Sequence, residues 1–155
     1  MGSNVRRAIG TLVAICAVSI GGLAYRWLEA ASADPRPSVI GVRLGMTAEQ
    51  VRARVDTRGP GTWTTRLRSG DWVLEHRTGD ESDELELHDG QLVAVRVDAP
   101  ARADLLSGPD RQVTPGSVLV RARAGDRVRL TLLSRACPTH HEEAERLVAG
   151  GVPGP

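Results

Sequence analysis

Three residues near the C-terminus have the types and spacing for chemistry: Cys137, His140 and His141. A Cys and a His three apart across a helix start can both reach one Zn²⁺, but a structural zinc site takes four ligands. No second pair is present. His76 and His88 lie singly in strand-like segments, and the other cysteine, Cys16, sits in an apolar run far upstream. The expectation is no metal and no cofactor, with His140 and His141 as solvated first-turn residues. A thiol at a helix N-terminus is activated by its surroundings, so a small thiol- or metal-dependent module centred on Cys137, His140 and His141 is the alternative. A Cys-His nucleophile also needs an orienting group and an oxyanion hole, which the sequence does not supply. Cys137 is therefore expected to be a buried small residue following a strand.

Two charged groups come next. Asp71 to Asp89 holds eight acids and one Arg. Within it, Gly79-Asp80-Glu81-Ser82-Asp83-Glu84 lacks the ligand spacing and the glycine of a calcium loop, and reads as a solvated hairpin tip. Arg121, Arg123, Arg127 and Arg129 crowd the second group. Four like charges on neighbouring strands repel, so either internal carboxylates or an acidic partner must face them. Internal pairing with Glu84 and Glu86 is the reading preferred here; a docking surface of Arg121, Arg123, Arg127 and Arg129 is the alternative. No phosphate-cradling loop, zinc-protease helix or nucleophile elbow occurs, and no catalytic residue is assigned.

Composition limits what these groups can serve. The 155 residues suffice for one domain plus an accessory segment. At 41% hydrophobic and 25% charged, the chain is ordinary globular material. A formal charge of +1 argues against nucleic-acid binding by bulk charge. All 20 basic residues are Arg, and Phe is absent. That bias follows GC-rich codons and is not read as selection for bidentate anion binding.

The elements that must position these residues can be read in order. Thr47 with Gln50 forms a capping box, and Met46 with Val51 a hydrophobic staple, opening a helix over 48–56. Gly59-Pro60-Gly61 ends it. Period-two patterning then predicts strands at 62–68, 72–77, 84–88 and 92–97. A three-residue loop at 88–90 would put Leu85 and Leu87 on one face with Val93, Val95 and Val97, leaving Glu84 and Glu86 outward. Residues 98–116 read as a crossing loop with one helical turn near 103–106. Strands at 118–123 and 127–133 follow. A three-residue loop there would gather Val118, Val120, Ala122, Val128, Leu130 and Leu132 on one side and the four arginines on the other. Thr139 with Glu142 suggests a second capping box, starting a helix that runs to about Ala149. The fold class expected is α+β: a small antiparallel sheet with short helices packed on one face.

The N-terminal part carries the address. Ala8 to Tyr25 has 18 uncharged residues, spanning roughly 27 Å as a helix, close to the thickness of a bilayer core. Arg6 and Arg7 precede it and stay inside by the positive-inside rule. Residues 1–29 are read as a single transmembrane anchor in the bacterial inner membrane, 30–38 as a linker, 39–150 as an extracytoplasmic domain and 151–155 as a tail. The alternative is a signal peptide cleaved after Ala33, where Ala31-Ser32-Ala33 fits a signal-peptidase site.

The stretch Val42-Arg43-Leu44-Gly45-Met46-Thr47-Ala48-Glu49-Gln50-Val51 resembles the opening of the SmpA/OmlA (BamE-like) envelope proteins and the related β-lactamase-inhibitor-protein-like domains. Gly59-Pro60 and the pattern Leu85-x-Leu87-x-x-Gly90-x-Leu92-x-x-Val95 continue the similarity over about residues 40–98. It implies a helix, a Gly-Pro stretch and a small antiparallel sheet, serving as a binding or scaffolding domain in the envelope rather than an enzyme. The expected partners are another envelope protein and, through residues 8–25, the membrane.

Overall fold

The computed structural model describes residues 36–151; the expected anchor, its cleavage site and most of the linker lie outside them. None of the helices among the described residues is long and apolar enough to cross a membrane.

Val39 and Val42 pair across a tight turn at Ile40-Gly41 and are both buried. Helix α1 (Ala48–Asp56) follows, with its capping box formed as the spacing predicts. Gln50 N donates to Thr47 Oγ1 at 3.4 Å, and Thr47 N donates to Gln50 Oε1 at 3.0 Å. Four strands come next: β1 (Thr62–Arg68), β2 (Asp71–Thr78), β3 (Glu81–His88) and β4 (Gln91–Pro100). A helical turn, α2 (Ala103–Leu106), falls where it was expected. The rest of the expected loop also contains a short strand, β5 (Arg111–Val113). β6 (Ser117–Ala124), β7 (Arg127–Ser134) and helix α3 (His141–Val148) complete the chain. All seven strands form one antiparallel sheet in the order β1-β2-β3-β4-β7-β6-β5.

The sheet is covered on both faces, not on one. On the first face, Val51 and Val55 of α1 and Leu105 of α2 pack with Leu74, Leu85, Leu87, Val95, Val97, Leu130 and Leu132. On the second, Ala144 and Leu147 of α3 pack with Ala94, Val118, Val120 and Leu133. Consecutive residues of β7, Leu132 and Leu133, are therefore both fully buried, toward opposite sides.

This double burial corrects both loop assignments. The β6–β7 turn has two residues, Gly125-Asp126, with Ala124 opposite Arg127. Val118 and Val120 consequently face α3, while Val128, Leu130 and Leu132 face α1 and α2. A three-residue loop would collect all apolar residues on one side, a criterion that fails when both sides are buried. The β3–β4 turn also has two residues, Asp89-Gly90, both at positive φ as a type I′ turn requires. A register shift at Glu86/Leu87 then places Leu85 opposite Val95. Leu85, Leu87, Val95 and Val97 do share the core face, but Leu92 takes the place expected of Val93. A bulge does the work assigned to a longer loop.

Candidate functional site

A buried set of titratable groups lies on the second face, where α3 meets β2 and β3. Asp71 opens β2 directly after the Ser69-Gly70 turn. Glu86 lies on β3 opposite Val73, two residues before His88. The parity of the pleat sends all three side chains to the α3 side. His140 is the N-cap of α3, and its side chain forms no capping bond. Asp71, Glu86 and His140 are 4%, 3% and 7% exposed. One donor atom from each lies within 4.8 Å of the other two.

Each carboxylate is held on several sides. Glu86 Oε1 accepts from Arg68 Nη1 at 2.7 Å and Arg96 Nη1 at 2.9 Å. Its Oε2 lies 2.7 Å from His140 Nε2. Asp71 Oδ1 is 2.6 Å from His88 Nδ1, and its Oδ2 accepts from Thr139 Oγ1 at 3.0 Å. Around them, Arg96 Nη2 reaches Glu143 Oε2 at 2.8 Å, and Arg66 and Arg68 hold Glu84. Burial alone would raise the Glu86 carboxyl, but contact with His140 and the charges of Arg96 and Arg68 outweigh it and lower the pKa to about 2. The hydrogen bond that His88 Nδ1 donates to Asp71 raises His88 above its ordinary value.

This geometry changes the reading of the C-terminal chemical group. His140 is buried against Glu86, not solvated. His141, one residue on, is exposed, with Nδ1 3.0 Å from the Arg135 carbonyl. The two histidines point to different environments and do not act as a pair. Cys137 is buried, as expected, and forms no disulfide among the described residues; its Sγ lies 3.1 Å from Thr139 Oγ1. Thr139 does not cap α3, because its hydroxyl is committed to Asp71.

The four arginines are also separated. Arg121 and Arg123 point to the first face, while Arg127 and Arg129 point to the second, by the register Ala122↔Arg129 and Arg121↔Leu130. Arg121 is almost wholly buried and donates to the carbonyls of Leu105, Ser107, Gly108 and Pro109, closing the C-terminal end of α2. Asp110 lies 3.9 Å from it. Arg127 and Arg129 share Asp98 at 2.6 Å and 3.3 Å. Carboxylates therefore do face three of the four, but they are Asp98 and Asp110, not Glu84 and Glu86. Those two serve Arg66, Arg68 and Arg96 instead.

A second buried polar cluster sits under α1. His76 Nδ1 is 3.4 Å from Asp83 Oδ2, and Arg58 Nη1 donates to the same oxygen at 2.8 Å. Trp63 covers His76 with ring centroids 4.7 Å apart. Burial raises the Asp83 carboxyl, with Arg58 and His76 pulling the other way. Gly61 is required here: a Cβ at that position would lie 2.1 Å from His76 Nε2.

The other notable surface is apolar. Leu67 and Trp72 stand directly opposite each other at the tip of the β1–β2 hairpin, 62% and 54% exposed. β1 is an edge strand. A cleft of about 420 Å³ lies elsewhere, between the start of β4 and the Thr114–Ser117 turn, with Arg36 as its one charged lining residue.

No family model, no curated protein and no solved structure matches this chain.

Proposed function

We propose that the chain is a non-catalytic, membrane-tethered extracytoplasmic interaction domain of a bacterial cell envelope, docking through the β1–β2 hairpin. The observation that carries this is the exposed Leu67–Trp72 pair beside a sheet edge that no strand among the described residues pairs. An edge strand presents a row of free backbone donors and acceptors, to which an extended segment can add as a further strand. The alternation along β1 specifies that segment. Thr65 and Leu67 face one side; Arg66 and Arg68 face the other, with side chains still 50% and 41% exposed although they pair with Glu84. An extended peptide of another envelope protein, with apolar and acidic residues in alternation, matches both sides.

Supporting the tether is the uncharged run Ala8–Tyr25 behind Arg6 and Arg7. The resemblance of residues 40–98 to the SmpA/OmlA (BamE-like) proteins supports an envelope scaffold. The order it implies, helix, Gly-Pro and antiparallel strands, is the order from α1 through β4. The arginines are a weaker docking surface, because Arg121 is buried and Arg127 and Arg129 share Asp98.

A photo-crosslinking amino acid placed at Leu67 in living cells tests this. Adducts should form, should map to an extended segment with alternating apolar and acidic residues, and should disappear with Trp72→Ala. Adducts from position 123 or 127 instead, with none from 67, would overturn the proposal.

A further inference from the structure

We propose that Asp71, Glu86 and His140 form a binding site for one divalent transition-metal ion, with zinc as the test case, beneath the N-terminus of α3. The three residues come from β2, β3 and the α3 N-cap, and their donor atoms already lie within 4.8 Å of one another. Ligands on a tetrahedral Zn²⁺ with bonds of ~2.0–2.1 Å stand roughly 3.3 Å apart, so only small side-chain adjustments are needed.

The independent observation is His140 Nε2. It is buried and has no hydrogen-bond partner. Glu86 Oε2 is only 2.7 Å away, but off the line a ring N–H would need. His140 Nε2 and Glu86 Oε2 therefore converge on one buried point with no well-aligned hydrogen bond between them. A buried polar atom left unpaired is costly, and a bound cation would give His140 Nε2 a partner.

The surroundings match what metal ligands use. Ligating carboxylates are steadied through their other oxygen, and ligating histidines present the second ring nitrogen to a carboxylate. Arg68 and Arg96 hold Glu86 by Oε1, leaving Oε2 available. Asp71 is oriented by His88 and Thr139. Glu143 Oε2 is 3.9 Å from His140 Nδ1, and closing to hydrogen-bond length would fix the tautomer with Nε2 free. One imidazole and two carboxylates suit Zn²⁺ or Mn²⁺ rather than soft, thiolate-seeking ions. The site departs from the sequence expectation of no metal because that expectation searched for a second Cys/His pair. The fold supplies carboxylates from the hairpin strands instead.

Zinc titration of the purified full-length chain, against a competing chelator, tests the site. One equivalent should bind. His140→Ala and Asp71→Asn should each weaken binding at least about 100-fold, and Glu143→Gln about 10–100-fold. His141→Ala should leave affinity unchanged. X-ray absorption of the zinc-loaded natural chain needs no variant, and should show one imidazole, oxygen donors and no sulfur. The proposal fails if the folded natural chain takes up no zinc at micromolar free metal. It also fails if sulfur appears in the coordination shell, or if folded His140→Ala and Asp71→Asn bind zinc as the natural chain does.

Discussion

At the scale of single residues, Glu86 shows how placement overrides composition. On an exposed hairpin its charge would contribute ~0–1 kcal/mol; buried between Arg68, Arg96 and His140 it cannot be treated that way. Its pKa is lowered from 4.5 to about 2. A depressed carboxyl contributes stability above its unfolded pKa and loses it as pH falls through the folded one. The shift corresponds to ~3 kcal/mol. With chelator present, the natural chain should exceed Glu86→Gln in stability by about that amount at neutral pH. The gap should close between pH 4.5 and about pH 2. Taking the difference cancels Asp83, whose raised pKa acts in the opposite sense. Denaturant curves across this range check it, and a gap independent of pH would contradict it. Gly61→Ala is a second residue-scale test. Its Cβ would collide with His76 Nε2 and with Thr78 Oγ1, so a loss of about 1–3 kcal/mol is expected in denaturant curves, and an unchanged stability would contradict the close packing.

At the scale of elements, six of the seven strands were legible, and the faces of the β6–β7 hairpin were not. Period-two patterning located β1 through β4, β6 and β7, because Gly-containing turns separate them cleanly. Helix α1 was legible because its cap is local chemistry between Thr47 and Gln50. The β6–β7 register was not, since Leu132 and Leu133 are both buried and alternation carries no information there. The same cause hid the candidate site. Glu86 and Asp71 look outward until α3 is known to cover their face, and α3 offers only Ala144 and Leu147 as buried contacts. Cys137 and His140 stood out by type and spacing, but nothing local to them names their partners. Leu147→Ala should therefore cost about 2–5 kcal/mol and, by loosening α3, should raise the accessibility of Cys137 to thiol reagents; a change in stability alone would contradict the coupling. Arg121→Ala should open the loop from α2 to β5, which it ties through four carbonyls. Limited proteolysis should then cut within residues 102–110, where the natural chain resists.

At the scale of the whole molecule, the described residues form a sheet covered on both faces, with β1 at one edge. If Ala8–Tyr25 anchors the chain, carbonate washing should leave full-length protein in the pellet, and a soluble product beginning at Asp34 would replace the tether with a cleaved signal. Many charged side chains of the described domain pair within it, whereas Leu67 and Trp72 stay exposed beside edge strand β1, the surface proposed for docking. Amide hydrogen exchange across β1, compared between the full-length chain in its native membranes and the same chain purified, tests strand addition directly. The account predicts that amides of Thr62–Arg68 exchange more slowly in the membranes, and that Trp72→Ala removes the difference. Equal exchange of β1 in the two preparations, with protection appearing over β6 and β7 instead, would contradict it.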